Sequence, residues 1–228
     1  MFRFLSRTTF VAMIVALSTT AFAPLASAQS EQQKLVDAAD TTFSNFVRDP
    51  DMTWLQQNLG RAKAVLISPE IVKAGFIFGG SGGHGVLVAR EPSGRWAGPA
   101  FYSLATASVG FQAGIAVSET VVLVMTDKGM NSLLATSFKM GGDASIAAGP
   151  VGAGAKSDIV ADLVSFSRSK GVYGGLNLDG TVVKTNDAWN EAYYGKKALA
   201  PDILVRASVH NKGADKLLAD VGKAAGSK

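Results

Sequence analysis

The chain has 228 residues but no cysteine, and only two histidines, His84 and His210. Without thiols it forms no disulfide in any compartment, offers no thiolate nucleophile and cannot build a cysteine zinc site, so its stability must come from packing. Carboxylates could hold a hard cation, but none falls in an Asp/Asn/Gly calcium loop, and no metal or cofactor is expected. Charge of one sign is scarce too: 22 Lys and Arg face 18 Asp and Glu. That balance argues against a surface broadly suited to nucleic acid, while leaving room for a local cationic patch. No serine is read in the GxSxG context of a nucleophile elbow, and no HExxH metal site is present. The expectation is a non-catalytic chain.

Glycine, by contrast, is abundant and concentrated: 20 of the 25 glycines fall between Gly75 and Gly180. They are interspersed with short Val, Ile, Leu, Phe and Tyr runs, too brief and too glycine-rich for long helices. The pattern predicts a curved antiparallel sheet or partly closed barrel in an α+β domain, with glycines at bends and bulges. Strands are expected at Ile71 to Phe78, Gly85 to Arg90, Gly114 to Val117, Val121 to Met125, Ala144 to Ala148, Val160 to Ser167, Val172 to Leu178 and Val182 to Lys184. Asp179-Gly180 should turn between the last two of these. Gly174 and Gly175 are expected where a side chain would disturb closely packed strands.

Helices are expected at both ends. Leu35, Ala39, Phe43, Phe46 and Val47 recur at helical spacing before Asp49-Pro50, which should stop the helix. Thr53 to Leu66 reads as a helix or a helix plus strand, with Ser68-Pro69 as a boundary. Asp127 and Asp187 are expected to cap short segments, and Asn211 to open a terminal helix carrying Leu217, Leu218 and Val221. The first 28 residues resemble an export signal: Arg3 and Arg7, an apolar run from Phe10 to Leu17, and Ala26-Ser27-Ala28 as a cleavage site. The run is shorter than the ~20 residues that a spanning helix needs. This reading implies a periplasmic or secreted product, soluble and at most peripheral on a membrane. Residues 29–228 would form one domain, with helical parts at about 31–66 and 187–226 around a β core at about 70–185.

Two glycine motifs suggest phosphate chemistry and fail in context. Gly80-Ser81-Gly82-Gly83-His84-Gly85 fits GxGxxG, but Val86-Leu87-Val88-Ala89 continues as a strand where a dinucleotide site needs a helix N-terminus. Gly149 to Ser157 lacks the Gly-Lys junction of a phosphate loop, although Lys156 could still contact a lipid phosphate. His84 is read as a hydrogen-bonding residue and His210 as a boundary residue. Glu119, Asp143, Asp158 and Asp162 are possible acid/base groups, with capping and solvation preferred.

The most suggestive arrangement is Phe166-Ser167-Arg168-Ser169-Lys170-Gly171-Val172-Tyr173. It sets Arg168 and Lys170, candidate contacts for an anionic headgroup, beside the interfacial candidates Phe166 and Tyr173. Arg90, Arg95, Lys139 and Lys156 are further possible contributors. Trp189, Tyr193 and Tyr194 fit either an aromatic interface or the buried side of a short helix, and burial is preferred.

Several blocks in one order resemble the SYLF domain family, in a bacterial exported form. They are Lys63 to Pro69, Gly75 to Arg90, Trp96 to Phe101, Gly110 to Gly114, Ala147 to Gly152 and Leu163 to Gly195. The resemblance implies a compact α+β domain and non-catalytic binding of anionic phospholipid or phosphorylated lipid headgroups. It maps that role diffusely onto Lys63, Gly75 to Gly85, Arg168 and Lys170. Trp96-Ala97-Gly98-Pro99 departs from the family's Trp-Ser-Ala-Pro, so no hydroxyl recognises ligand there, and Gly98-Pro99 is expected to turn. The alternative is an exported envelope scaffold or protein-interaction domain, and after it an unrecognised hydrolase. An exported chain is not expected to meet actin, whereas an envelope protein is a possible partner.

Overall fold

The computed structural model describes residues 30–75, 78–109, 114–152, 158–169, 172–173 and 178–226. Ser30 starts the first helix, α1 (Glu31–Arg48), its hydroxyl accepting the Gln33 amide at 3.2 Å. Val36, Ala39, Phe43 and Phe46 form the buried stripe. Asp49 then turns extended and Pro50 opens a short 3-10 turn, as a proline after a helix should. A further helix, α2 (Thr53–Asn58), leads into the sheet.

Four long strands dominate: β1 (Ala64–Gly75), β2 (Phe78–Arg90), β3 (Trp96–Val109) and β4 (Gly114–Val124). After α3 (Asp127–Leu134) come the shorter β5 (Ser137–Lys139), β6 (Ile146–Ala148), β7 (Leu163–Ser169), β8 (Val172–Tyr173) and β9 (Val182–Thr185). The chain closes with α4 (Asp187–Tyr194), α5 (Ala200–Leu204) and α6 (Asp215–Ala224). Among the described residues the strands join in the order β5-β9-β3-β2-β1-β4-β7-β6, with β8 also on β7. Pairing is antiparallel except between β6 and β7. The result is an α+β fold: a curved, partly closed antiparallel sheet with the N- and C-terminal helices against it.

Alternation along the strands divides the interior in two. Val65, Ile67, Val86, Val88, Phe101, Val121 and Leu123 face α1, α2, α4 and α6. Leu66, Leu87, Ala100, Tyr102, Val122 and Val124 face the opposite layer, which includes Leu133 of α3 and Ile203 of α5. Burial on both faces explains the near-continuous apolar runs in the middle of the sheet.

Several expectations shift on meeting the fold. Ser68-Pro69 does not end an element: β1 passes through it by a bulge between Ile67 and Glu70, which accommodates the amide that proline lacks. Gly79 to Gly85 is strand, not loop, and β4 is one strand rather than two. Trp96–Val109, expected to hold no strand, is β3, and its Gly98-Pro99 lies within that strand near a register shift opposite Val88 instead of making a turn. Thr126 and Asn186, each one residue before the expected cap, are the caps of α3 and α4. Asp179-Gly180 does turn, with Gly180 at φ +79. It does not join paired strands, because β8 adds to β7 while β9 lies between β3 and β5. Gly174 and Gly175 lie outside the described residues.

Candidate functional site

The helices on the α1 side cover only part of the sheet. From Phe101, Val86 and Val121, which are buried against them, each strand continues outward on the same face in steps of two residues. The first uncovered row pairs Ser137, Lys184, Ser103, His84 and Glu70 across five strands. The next pairs Lys139, Val182, Ala105, Gly82, Val72 and Val117. A third pairs Ala107, Gly80, Ala74 and Ile115.

The two outer rows are apolar apart from Lys139, and solvent reaches them: Val72 is 38% exposed, Val117 40%, Val182 45% and Ile115 74%. Lys139 and Lys184 are exposed at the β5/β9 side, and neither forms an ion pair among the described residues. Where these rows meet α1, a groove of about 510 Å³ opens, lined by Leu35 and Ala38 of the helix and by Glu70, Val72, His84 and Trp189. His84 stacks on Trp189 at 4.6 Å between ring centroids, and its Nδ1 lies 3.3 Å from the Ser103 hydroxyl.

Of the residues picked from the sequence as headgroup contacts, Arg168, Phe166 and Lys63 do not converge on this face. Arg168 is turned inward: its Nε and Nη2 donate to Glu119 Oε2 at 3.1 and 2.5 Å, Asp49 lies 4.0 Å from Nη1, and the guanidinium sits 5.3 Å from the centre of the Phe46 ring. Phe166 is buried and packs on Trp54 at 5.9 Å, so its ring supports the core. Lys63, just before β1, pairs with Asp127 at 2.9 Å, at the far end of that strand from Val72. Tyr173 pairs with Arg168 through the β7/β8 ladder. Lys156 and Lys170 lie outside the described residues. The sequence reading missed Lys184, and it named Lys139 only in passing; their signal was two strand positions of one parity, visible only once β5 and β9 are paired.

The acids suggested for proton transfer have structural partners or lie apart. Asp143 accepts the Lys139 amide at 2.7 Å, while Asp158 is exposed. Asp162 accepts from the Thr126 hydroxyl at 2.5 Å and from the Ser145 amide and hydroxyl at 2.9 and 2.8 Å. The Thr126 bond above all, then those from Ser145 with help from Lys128, holds the Asp162 carboxyl at about 2. Gly79 to Gly83 does carry GxSxG spacing, contrary to the expectation that no serine has it, but Ser81 lies inside β2, not at a strand-to-helix turn. GxGxxG falls on the same uninterrupted strand, with no helix terminus to receive phosphate.

His210 pairs with Asp215 at 3.1 Å beside the terminal helix. Tyr193 is buried and Tyr194 donates to the Pro99 carbonyl at 2.8 Å, so the pair belongs to the core, with burial pushing both phenols up. Among the described residues no group of three His, Asp or Glu could hold a metal ion, and no helix is long and apolar enough to cross a membrane.

Comparison with known proteins gives this arrangement a family. The Ysc84 family, described as "Las17-binding protein actin regulator", matches residues 105–224, just over half of the chain. The chain is 34% identical to LAS seventeen-binding protein 3 of Saccharomyces cerevisiae over 153 residues, 64% of this chain and 33% of that protein. It is 29% identical to the human SH3 domain-containing YSC84-like protein 1 over 160 residues, 68% of this chain and 46% of that protein. Protein YSC84 of the same yeast is 31% identical over 153 residues, 64% of this chain and 32% of its own length. The match thus spans from about a third to just under half of these relatives. The chain belongs to the SYLF/Ysc84 family, whose fold is consistent with binding at a lipid or protein surface; the family is described by binding and regulation.

These relatives correct part of the sequence reading. They come from yeast and mammals, so the bacterial exported form does not stand, and with it go the signal-peptide, periplasmic and secreted assignments and the envelope partner. The exclusion of actin falls as well, because it rested on export and the family is described as an actin regulator.

Proposed function

We propose that this chain is a non-catalytic binding domain, residues 29–228, that recognises anionic phospholipid or phosphorylated lipid headgroups at a membrane surface. The observation that carries this reading is the uncovered sheet face, where Lys139 and Lys184 stand beside exposed aliphatic rows. Two ammonium groups that form no ion pair among the described residues can meet headgroup phosphates without first losing a protein partner, while apolar neighbours tolerate the membrane interface. Arg168 then acts by fixing β7 beneath α1, while Lys170 and Tyr173, close to it in the sequence, remain further headgroup candidates. Lys156 and Lys63 are candidates for secondary contacts.

Sedimentation of the full chain with vesicles tests the reading. Phosphatidylserine-containing vesicles should carry it down and pure phosphatidylcholine should not, with the difference shrinking as salt rises. Equal sedimentation with both at every salt concentration removes the anionic preference. A second reading comes from the family description and the relatives' names: an actin-linked protein partner. Sedimentation with actin filaments but with neither vesicle would replace the first reading by this one.

A further inference from the structure

Resting on the membrane reading above, we propose that the outer rows of the α1-side sheet face enter the bilayer interface, with Val72, Val117 and Ile115 as the inserted side chains. Val72 and Val117 are direct cross-strand partners, and Ile115 follows on β4 opposite Ala74. Ile115 at 74% exposure leaves most of an isoleucine side chain in water. Burying such aliphatic surface contributes roughly 25 cal/mol per Å², so three neighbouring exposed side chains on one ladder favour an apolar medium that covers them together.

The composition of the rows selects a bilayer as that medium. No carboxylate lies in either outer row, and Lys139 ends one of them, which suits an anionic surface. Protein interface cores are enriched in aromatic residues and arginine that fill pockets. Apart from Lys139, the positions here are valine, isoleucine, alanine and glycine, giving a shallow face without aromatic or arginine anchors. Glu70 and His84 sit one row closer to the helices, about 7 Å back along the strands, and stay at headgroup level or outside it. The insertion is by a sheet face, so it needs no helix to unfold from the core.

Because the chain has no cysteine, a single label reports on one place. Ala107→Cys, in the outermost row, is labelled with an environment-sensitive dye; Ser93→Cys, at the opposite end of β2, is the control. With phosphatidylserine-containing vesicles the Ala107 probe should shift to the blue and be quenched by brominated lipid, while the Ser93 probe does neither. Ile115→Glu with Val117→Glu should lower vesicle binding at least tenfold at an unchanged unfolding temperature; Ile115→Ser with Val117→Thr serves if the charged pair misfolds, and should weaken binding in the same direction. Wild-type sedimentation with an Ala107 probe that stays in water, or with a folded double variant that binds as wild type, overturns the insertion and leaves lipid binding standing. No sedimentation of wild type with either vesicle overturns both. If wild type dimerises and Ile115→Glu with Val117→Glu makes it monomeric without changing vesicle binding, a second copy covers the face and the insertion is again wrong.

Discussion

Arg168 and Glu119 face each other across the β7/β4 ladder and are joined by two hydrogen bonds to one carboxylate oxygen, at 3.1 and 2.5 Å. The pair lies under the end of α1, with the Arg168 side chain 19% exposed, and Thr42 of α1 donates to the same carboxylate at 3.4 Å. A guanidinium placed this way ties a strand to a helix. Arg168→Ala should therefore cost about 1–3 kcal/mol by leaving Glu119 half-buried without its partner. Arg168→Lys should recover only part, because an ammonium cannot reproduce the two-donor contact. Thermal unfolding of the three proteins is the measurement; an unchanged midpoint for Arg168→Ala together with weaker vesicle binding would return Arg168 to the membrane surface.

Asp162 gives the fold a specific acid sensitivity. Its carboxyl is held at about 2 against an ordinary 3.8, chiefly by the Thr126 hydroxyl and then by Ser145. A group whose folded value is lowered stabilises the fold above its unfolded value and loses that contribution as pH falls through its folded value. Unfolding followed between pH 5 and 2 should show the loss below about 3.8. Asp162→Asn should be less stable at pH 7 by roughly 1–3 kcal/mol and should flatten this part of the profile. A profile identical to wild type would mean that other carboxylates govern the acid limb.

Two glycines on the described part of the fold can be tested by adding one methyl group. At Gly83 a Cβ would run into the Glu70 carbonyl oxygen across the bulge, and at Gly149 it would meet the Phe166 ring. Each alanine variant should lose about 1–3 kcal/mol, since neither backbone oxygen nor a buried ring yields cheaply. Gly94→Ala is no neutral control, because Gly94 has φ +85. Ser93→Ala on the exposed β2–β3 turn serves instead, and denaturant midpoints for the three should separate it from the other two. Equal midpoints would show that the strand pair opens readily at the bulge.

Isothermal titration with adenine and nicotinamide nucleotides should give no stoichiometric binding, because the glycines of GxGxxG form hydrogen-bonded ladder positions in β2. Saturable heat that is lost in His84→Ala would contradict this and would make the groove beside Trp189 a nucleotide site.

The parts of the fold that could be read from the sequence were those where one element decides its own pattern. The α1 stripe, the terminal Leu217 and Val221 face, and the excess of glycine among β formers each follow from local spacing. The strand β3 was hidden because Ser103, Thr106 and Ser108 break the apolar run, although Thr106 bonds Thr181 at 2.7 Å. Pro69 looked like a boundary because a bulge is a property of a strand pair and not of one strand. The placement of the candidate face was not legible. Arg168 stood beside aromatic residues in the sequence, but whether it faced solvent depended on Glu119, 49 positions away. Lys139 and Lys184 meet on one face only through the pairing of β5, β9 and β3.

The central claim, that the open sheet face binds anionic membranes, is tested most directly by vesicle sedimentation of wild type against Lys139→Glu with Lys184→Glu. Both lysines are exposed, and neither forms an ion pair among the described residues. The double change should therefore leave the unfolding temperature within about a degree of wild type. On phosphatidylserine-containing vesicles at low salt it should weaken binding by roughly tenfold or more, from the ~1 kcal/mol that each basic residue contributes near an anionic surface, with added repulsion. Raising salt should bring the two proteins together. Identical sedimentation of the folded double variant and wild type at low salt would contradict the account.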